Sequence, residues 1–137
     1  MNNDLYNIII SIKPAYADMI LDGRKKYEFR KCSFAKRVDK VFIYSTKPVK
    51  EITGYFTFDE VLRGKKSEIW DLCSEFGGMS ECDFFEYFDG KSVAYAMKIE
   101  KVYRLENPIN PYCSIKEFKA PRSFVYLNYE IGEGSIL

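Results

Sequence analysis

Lys25, Glu28 and Arg30 fall within one short segment, Gly23-Arg24-Lys25-Lys26-Tyr27-Glu28-Phe29-Arg30. An arginine two residues from a carboxylate on a strand shares its face, fixes its position and favours its charged form. Side by side, the two present an acceptor and a planar donor fork, which suits a planar polar ligand such as a base with a nearby phosphate. A lysine beside a carboxylate can also act as an acid–base pair. The chain contains no histidine, so such chemistry must use Lys, Arg, Glu, Asp, Tyr or Cys, and this segment holds four of those six. The plainer reading is a cross-strand surface ion pair of little energetic value. On the residues alone the plainer reading has the edge.

The surrounding elements must position these groups. Residues 8–12 are β-branched and nearly continuous, as in a strand buried on both faces. Lys13-Pro14 ends that strand, and residues 15–22 read as a short helix with Tyr16, Ala17, Ile20 and Leu21 on one face and Gly23 as its stop. Residues 26–31 alternate, with Tyr27 and Phe29 inward and Lys26, Glu28 and Arg30 outward. On an ideal strand Lys25 would share the core face, where an unpaired lysine is costly. Regular pairing is therefore expected to begin after it, with the turn re-aiming Lys25 toward Glu28 or toward solvent.

Residues 40–46 and 52–62 form a hairpin, with a bulge expected at Gly54. Residues 67–76 read as a helix with Ile69, Trp70, Cys73 and Phe76 inward, stopped by Gly77-Gly78. Ser80 and Asp83 resemble a capping box before a helix bearing Phe84, Phe85 and Phe88 and ending at Gly90. Residues 92–105 form a long strand with Val93, Tyr95, Met97 and Ile99 on one face. Ser114 with Glu117 suggests one helical turn, and residues 123–127 a last strand. This order predicts an α+β domain spanning residues 1–137, built on a small, mostly antiparallel barrel of five or six strands.

Composition sets wider bounds. The 47% hydrophobic and 17% aromatic content describes a packed globule. The net charge of +1 hides an uneven layout. Residues 24–40 carry eight cations and two anions, whereas residues 59–89 carry nine anions and three cations. A basic face is indicated, but not a globally basic nucleic-acid binder. Cys32, Cys73, Cys82 and Cys113 contain no CxxC pair, so free thiols are expected, and nothing implies a metal or a cofactor. Met1-Asn2-Asn3-Asp4 lacks a basic leader region and no apolar run spans a bilayer. These features suggest the reducing cytoplasm and no membrane partner.

Gly23, Lys25, Glu28 and Arg30 match at every position the GxKxxExR signature of ASCH domains, a branch of the PUA-like superfamily. Ile10-Ser11-Ile12-Lys13-Pro14, Tyr44-Ser45-Thr46-Lys47-Pro48-Val49 and Pro121-Arg122-Ser123-Phe124 also resemble a bacterial and archaeal subgroup, in the same order, so the likeness runs from about residue 8 to 127. The resemblance implies a PUA-like barrel with helices over its openings and a cleft that binds RNA or a modified nucleotide. It places Lys13, Gly23, Lys25, Glu28 and Arg30 at that cleft, together with Tyr44, Ser45 and Lys47 from the hairpin and Arg122, Ser123 and Phe124 near the end. On spacing alone these last two segments read as an ordinary hairpin end and a terminal strand. Some relatives carry this domain beside a helix-turn-helix, for which these 137 residues leave no room.

Two activities are attributed to family members. Small amidohydrolases that deacylate N4-acetylcytidine use a lysine, a threonine and a glutamate. Lys25 matches the first, Glu28 stands where the threonine belongs, and the third falls near Gly77-Gly78, with Glu75 close by. A ribonuclease activity is also proposed in the family, for which Lys25 and Glu28 could supply acid and base. Binding without turnover is the main reading and a small metal-independent hydrolase the alternative. A third reading is an interaction domain whose basic strand meets an acidic protein, although no feature identifies a protein partner.

Overall fold

Isoleucines on both faces of one strand need cover on both sides, and the fold is arranged around that demand. The computed structural model describes residues 5–127; Met1 to Asp4, read above for a leader, lie outside them. Strand β1 (Tyr6–Ile12) points Ile8, Ile10 and Ile12 into one core cluster and Ile9 into another. Helix α1 (Pro14–Leu21) covers the first, burying Ala17, Ile20 and Leu21. At about 25 cal/mol per Å², each buried isoleucine contributes about 2 kcal/mol relative to exposure.

The remaining elements are β2 (Tyr27–Arg30), β3 (Val38–Ser45), β4 (Glu51–Lys65), α2 (Lys66–Cys73), a 3-10 turn (Ser74–Phe76), α3 (Glu81–Tyr87), β5 (Val93–Ile109), α4 (Pro111–Ser114) and β6 (Phe124–Leu127). The six strands form one sheet in the order β2-β5-β4-β3-β1-β6. Only β1 and β3 pair in parallel; the other four pairings are antiparallel. No helix among the described residues is long and apolar enough to cross a membrane.

The α+β class and the element order agree with the sequence reading, but the closed barrel does not. β2 and β6 are the outer strands, and no ladder joins them among the described residues. Both are four residues long, too short for the staggered register that closing a barrel demands. A side chain crosses the gap instead: Arg30 Nη2, on β2, donates to Ser123 Oγ, just before β6, at 2.6 Å.

Several local expectations also shift. On β5 the buried residues beneath the helices are Ala94 and Ala96, while Met97 faces the α1 cluster and Tyr95 is half-buried. Both faces of β5 are covered there, and the small alanines make room for Phe84 and Phe88 of α3. Ile69 and Cys73 are buried on α2, but Trp70 is only partly so and Phe76 is 44% exposed, because the 3-10 turn rotates it off the inward stripe. The last helical turn falls at 111–114, where Asn110 Oδ1 caps Tyr112 N–H at 2.9 Å, rather than at 114–117. Ser80 Oγ does cap Asp83 N–H at 3.0 Å, as its spacing indicates. The bulge at Gly54 is present as a register shift that leaves Thr53 without an opposite residue on β3.

Candidate nucleotide-binding cleft

Gly23 takes φ +87° just past α1, a region open to glycine and strained for other residues. The turn it permits brings Lys25 N–H to the Met19 carbonyl at 2.9 Å, so Lys25 never joins the ladder. Pairing with β5 begins at Tyr27. Released from the strand register, the Lys25 side chain turns inward and is 2% exposed. Its ammonium donates to the Gly77 carbonyl, lies 3.9 Å from Glu28 Oε1, and sits 4.7 Å from the Phe29 ring centre and 5.4 Å from that of Tyr16. Cation–π contact and one carboxylate thus offset part of the cost of burial. Burial still dominates and pulls the Lys25 pKa below its ordinary value, with Glu28 opposing the fall.

Glu28 is not the surface partner that strand alternation suggests. It is 6% exposed, with Arg30 Nη1 donating to its Oε2 at 3.1 Å. Arg30 therefore bridges the Glu28 carboxylate and the Ser123 hydroxyl, holding the two sheet edges at a fixed separation. Ser11 Oγ anchors the neighbouring loop by donating to the Pro121 carbonyl at 2.6 Å, which sets Arg122 and Ser123 against the end of β1.

These groups converge on a cleft of about 690 Å³, within the size range of small-ligand sites. The β1 and β6 side supplies Lys13, Arg122 and Ser123, the β2 side Lys25, Glu28 and Arg30. Six of the eleven residues named from the sequence therefore share one cavity. Tyr44 and Lys47 line an adjoining hollow of about 510 Å³ that shares Ser11 and Arg122 with the first. Gly23, Ser45 and Phe124 line neither. Gly23 acts through its turn, Ser45 is buried with its hydroxyl 2.9 Å from that of Thr53, and Phe124 packs edge-on to Phe34 at 4.8 Å.

Tyr44, which the family resemblance places at the cleft, offers it little ring surface. It is 2% exposed, and its hydroxyl lies 2.7 Å from that of Tyr112. Burial and that hydrogen bond push its pKa up to about 12. Tyr112, 45% exposed, presents the accessible ring in its place, with Lys50 Nζ 5.3 Å from its centre.

The sequence reading also passes over much of the cleft wall. Tyr16, assigned there to the helix core, lines the opening beside Asp83 and Glu28, and burial raises its pKa with those carboxylates adding to the rise. Met79, Asp83, Glu86 and Tyr87 come from the segment bearing α3, which the sequence marks only as a capped helix bearing Phe84, Phe85 and Phe88. Gly77-Gly78 is more than a helix stop. Only Gly78 has positive φ, at +68°, and a Cβ there would lie 3.0 Å from the Lys25 stem. A Cβ on Gly77 would lie 2.8 Å from the Phe29 ring and 2.9 Å from the Cys73 carbonyl oxygen. The second glycine of a pair, where one suffices to end a helix, was the available sign of this close approach.

Known proteins resemble this chain in sequence and fold. The ASCH domain profile matches residues 10–109. Over 121 residues the chain is 31% identical to the large ribosomal subunit protein uL22 of Ureaplasma parvum serovar 3, covering 88% of this chain and 39% of that protein. The chain thus spans well under half the length of that relative. It is 28% identical over 134 residues to the ASCH domain-containing ribonuclease of Zymomonas mobilis, covering 93% of this chain and 88% of the ribonuclease. The crystal structure of ASCH from Zymomonas mobilis superposes with a TM-score of 0.82 at 26% identity, over 88% of this chain and 87% of the other. A profile match over most of the chain, a shared fold and an intact signature segment agree: the chain belongs to the ASCH domain family.

Proposed function

We propose that this chain, acting as a single domain over residues 1–137 in the cytoplasm, binds RNA or a modified nucleotide in the cleft between the β2 and β6 edges. The observation that carries this reading is the convergence of Lys25, Glu28 and Arg30 on one cavity whose opposite rim bears the exposed cations Lys13 and Arg122. A base lies among Tyr16, Met79 and Tyr87, within reach of the Glu28 acceptor and the Arg30 fork, while Lys13 and Arg122 meet phosphate. Lys25 is too enclosed to reach a phosphate; it holds Glu28 and the Gly77 turn in place. The hollow at Tyr112, Lys47 and Lys50 extends the same basic track.

Titration of a labelled single-stranded RNA library at several salt concentrations tests this. Affinity is expected to fall as salt rises. Arg30→Ala should weaken binding by about tenfold or more, since it frees Glu28 and unties Ser123 together. Lys101→Ala, an exposed cation away from both hollows, should change affinity less than about twofold. Equal losses from the two substitutions would place the binding surface elsewhere.

A second reading, hydrolysis of RNA or of an acylated nucleoside with Lys25 and Glu28 as acid–base groups, is favoured by the named ribonuclease that aligns with 93% of this chain. Burial of Lys25 lowers its pKa in the direction a general base needs. Near the Gly77-Gly78 turn, where the resemblance puts the third residue of the deacylating relatives, the glycines pack against Lys25 and Phe29, and Glu75 is exposed and does not line the cleft. On this reading Glu28→Gln abolishes product from labelled RNA or N4-acylcytidines while leaving binding within a few fold. Turnover by wild type no greater than by Lys25→Ala removes the hydrolase from consideration.

A further inference from the structure

The cleft is electrically two-sided. On the β1 and β6 side, Lys13 and Arg122 are exposed and make no ion pair among the described residues. On the facing side, α3 presents Asp83 and Glu86, also exposed and also without an ion-pair partner among the described residues. Helix α3 is held there by Phe84 and Phe88, which pack with Phe29 of β2, so the acidic wall is fixed to the β2 edge and the basic wall to the β6 edge. Between the walls lie aromatic faces. Tyr16 feels the charges of both Asp83 and Glu28, with the buried Lys25 ammonium 5.4 Å from its ring centre, and the ring of Tyr87 already carries the exposed ammonium of Lys31 at 4.7 Å from its centre.

A ligand that is only anionic would leave the acidic wall unsatisfied, or be repelled by it. A ligand with a negative pole and a positive pole about one nucleoside apart would satisfy both walls. π-Faces beside carboxylates are the ordinary means of holding a delocalised cation. We infer that the cleft is built for a nucleotide whose base carries a fixed positive charge, as an N-methylated purine does, with its phosphate on Lys13 and Arg122 and its charged ring against Tyr16, Tyr87, Asp83 and Glu86. This rests on the nucleotide-binding reading and adds to it a reason for the acidic helix, which a neutral base does not require. Lys31, an exposed side chain, swings off Tyr87 when the ligand's ring arrives.

Isothermal titration with 7-methylguanosine 5′-monophosphate and guanosine 5′-monophosphate isolates the charge, because the two differ by one methyl group and its positive charge. Wild type is expected to bind the methylated nucleotide about fivefold more tightly, and more so at low salt. In the Asp83→Asn/Glu86→Gln variant, whose changes are exposed and keep the Ser80 cap, that ratio should fall toward one. Equal affinities in wild type, or a preference that survives in the variant, overturns the charge inference and leaves nucleotide binding intact. Failure of wild type to bind either nucleotide at millimolar concentration overturns both.

Discussion

Replacing Glu28 by alanine should lower the unfolding free energy by about 3 kcal/mol at neutral pH, the usual consequence of stripping one partner from a buried ion pair. The buried Lys25 ammonium would keep only the Gly77 carbonyl and two aromatic faces. The loss carries a pH signature. Burial already holds the Lys25 pKa below its ordinary 10.5. Between the folded value and 10.5 the unfolded chain binds more protons than the native one, so this lysine makes native stability rise with pH across that window. Without Glu28 the folded value drops further and the window widens downward. The deficit of Glu28→Ala relative to wild type should therefore shrink as pH rises from neutrality toward 10.5, as read by urea unfolding at each pH. Lys25→Met in the same chain should recover part of the loss, since it removes the unpaired buried ammonium, whereas Arg30 still lacks its carboxylate. A deficit that stays constant with pH would remove the Lys25–Glu28 pairing as its source.

The second large effect belongs to Gly54. A Cβ at this position would lie 2.4 Å from the Tyr103 carbonyl oxygen and 2.6 Å from Leu21 Cδ2. The obstacle is backbone on one side and the buried end of α1 on the other, so neither yields without parting β4 from β5 or lifting α1. Gly54→Ala is expected to cost about 3 kcal/mol, at the upper end for overpacked cores, and to lower Tm by about 10 °C. Gly90→Ala provides the contrast. Its Cβ would meet nothing within 4 Å, and only its φ of +78° resists a side chain, for about 1 kcal/mol. Calorimetry that ranks the two in the opposite order would show that β4 and β5 separate at Gly54 at little cost.

Much of the fold was legible because it is local. The β-branched run at 8–12, the Pro14 entry to α1, the Gly23 stop and the Ser80 cap each act within a few residues, and each appears where the sequence indicates. The signature spacing likewise places Lys25, Glu28 and Arg30 together. What escaped depends on distant partners. Glu28 looks like a surface residue until the Arg30–Ser123 bridge encloses it. Tyr44, placed at the cleft by the resemblance, is withdrawn from it where Tyr112 and Phe118 close over its ring. The contribution of α3 was invisible because its phenylalanines and its acids occupy different faces of one helix: the former pack on β2 and β5, the latter face the cleft. Barrel closure was misjudged for the same reason, since strand alternation reveals which face is buried but not whether two short edges meet.

A sheet sealed by a ladder opens only when several main-chain bonds fail together. Here the two ends are tied by one guanidinium, which spends one nitrogen on Glu28 and the other on Ser123. On the binding reading proposed above, this clasp between the two sheet edges is itself a recognition group. On that reading, an anion that competes for Arg30 would loosen the fastening as it enters, and its departure would let the edges re-fasten. Access to the interior and occupancy of the site become one variable, with no separate lid required.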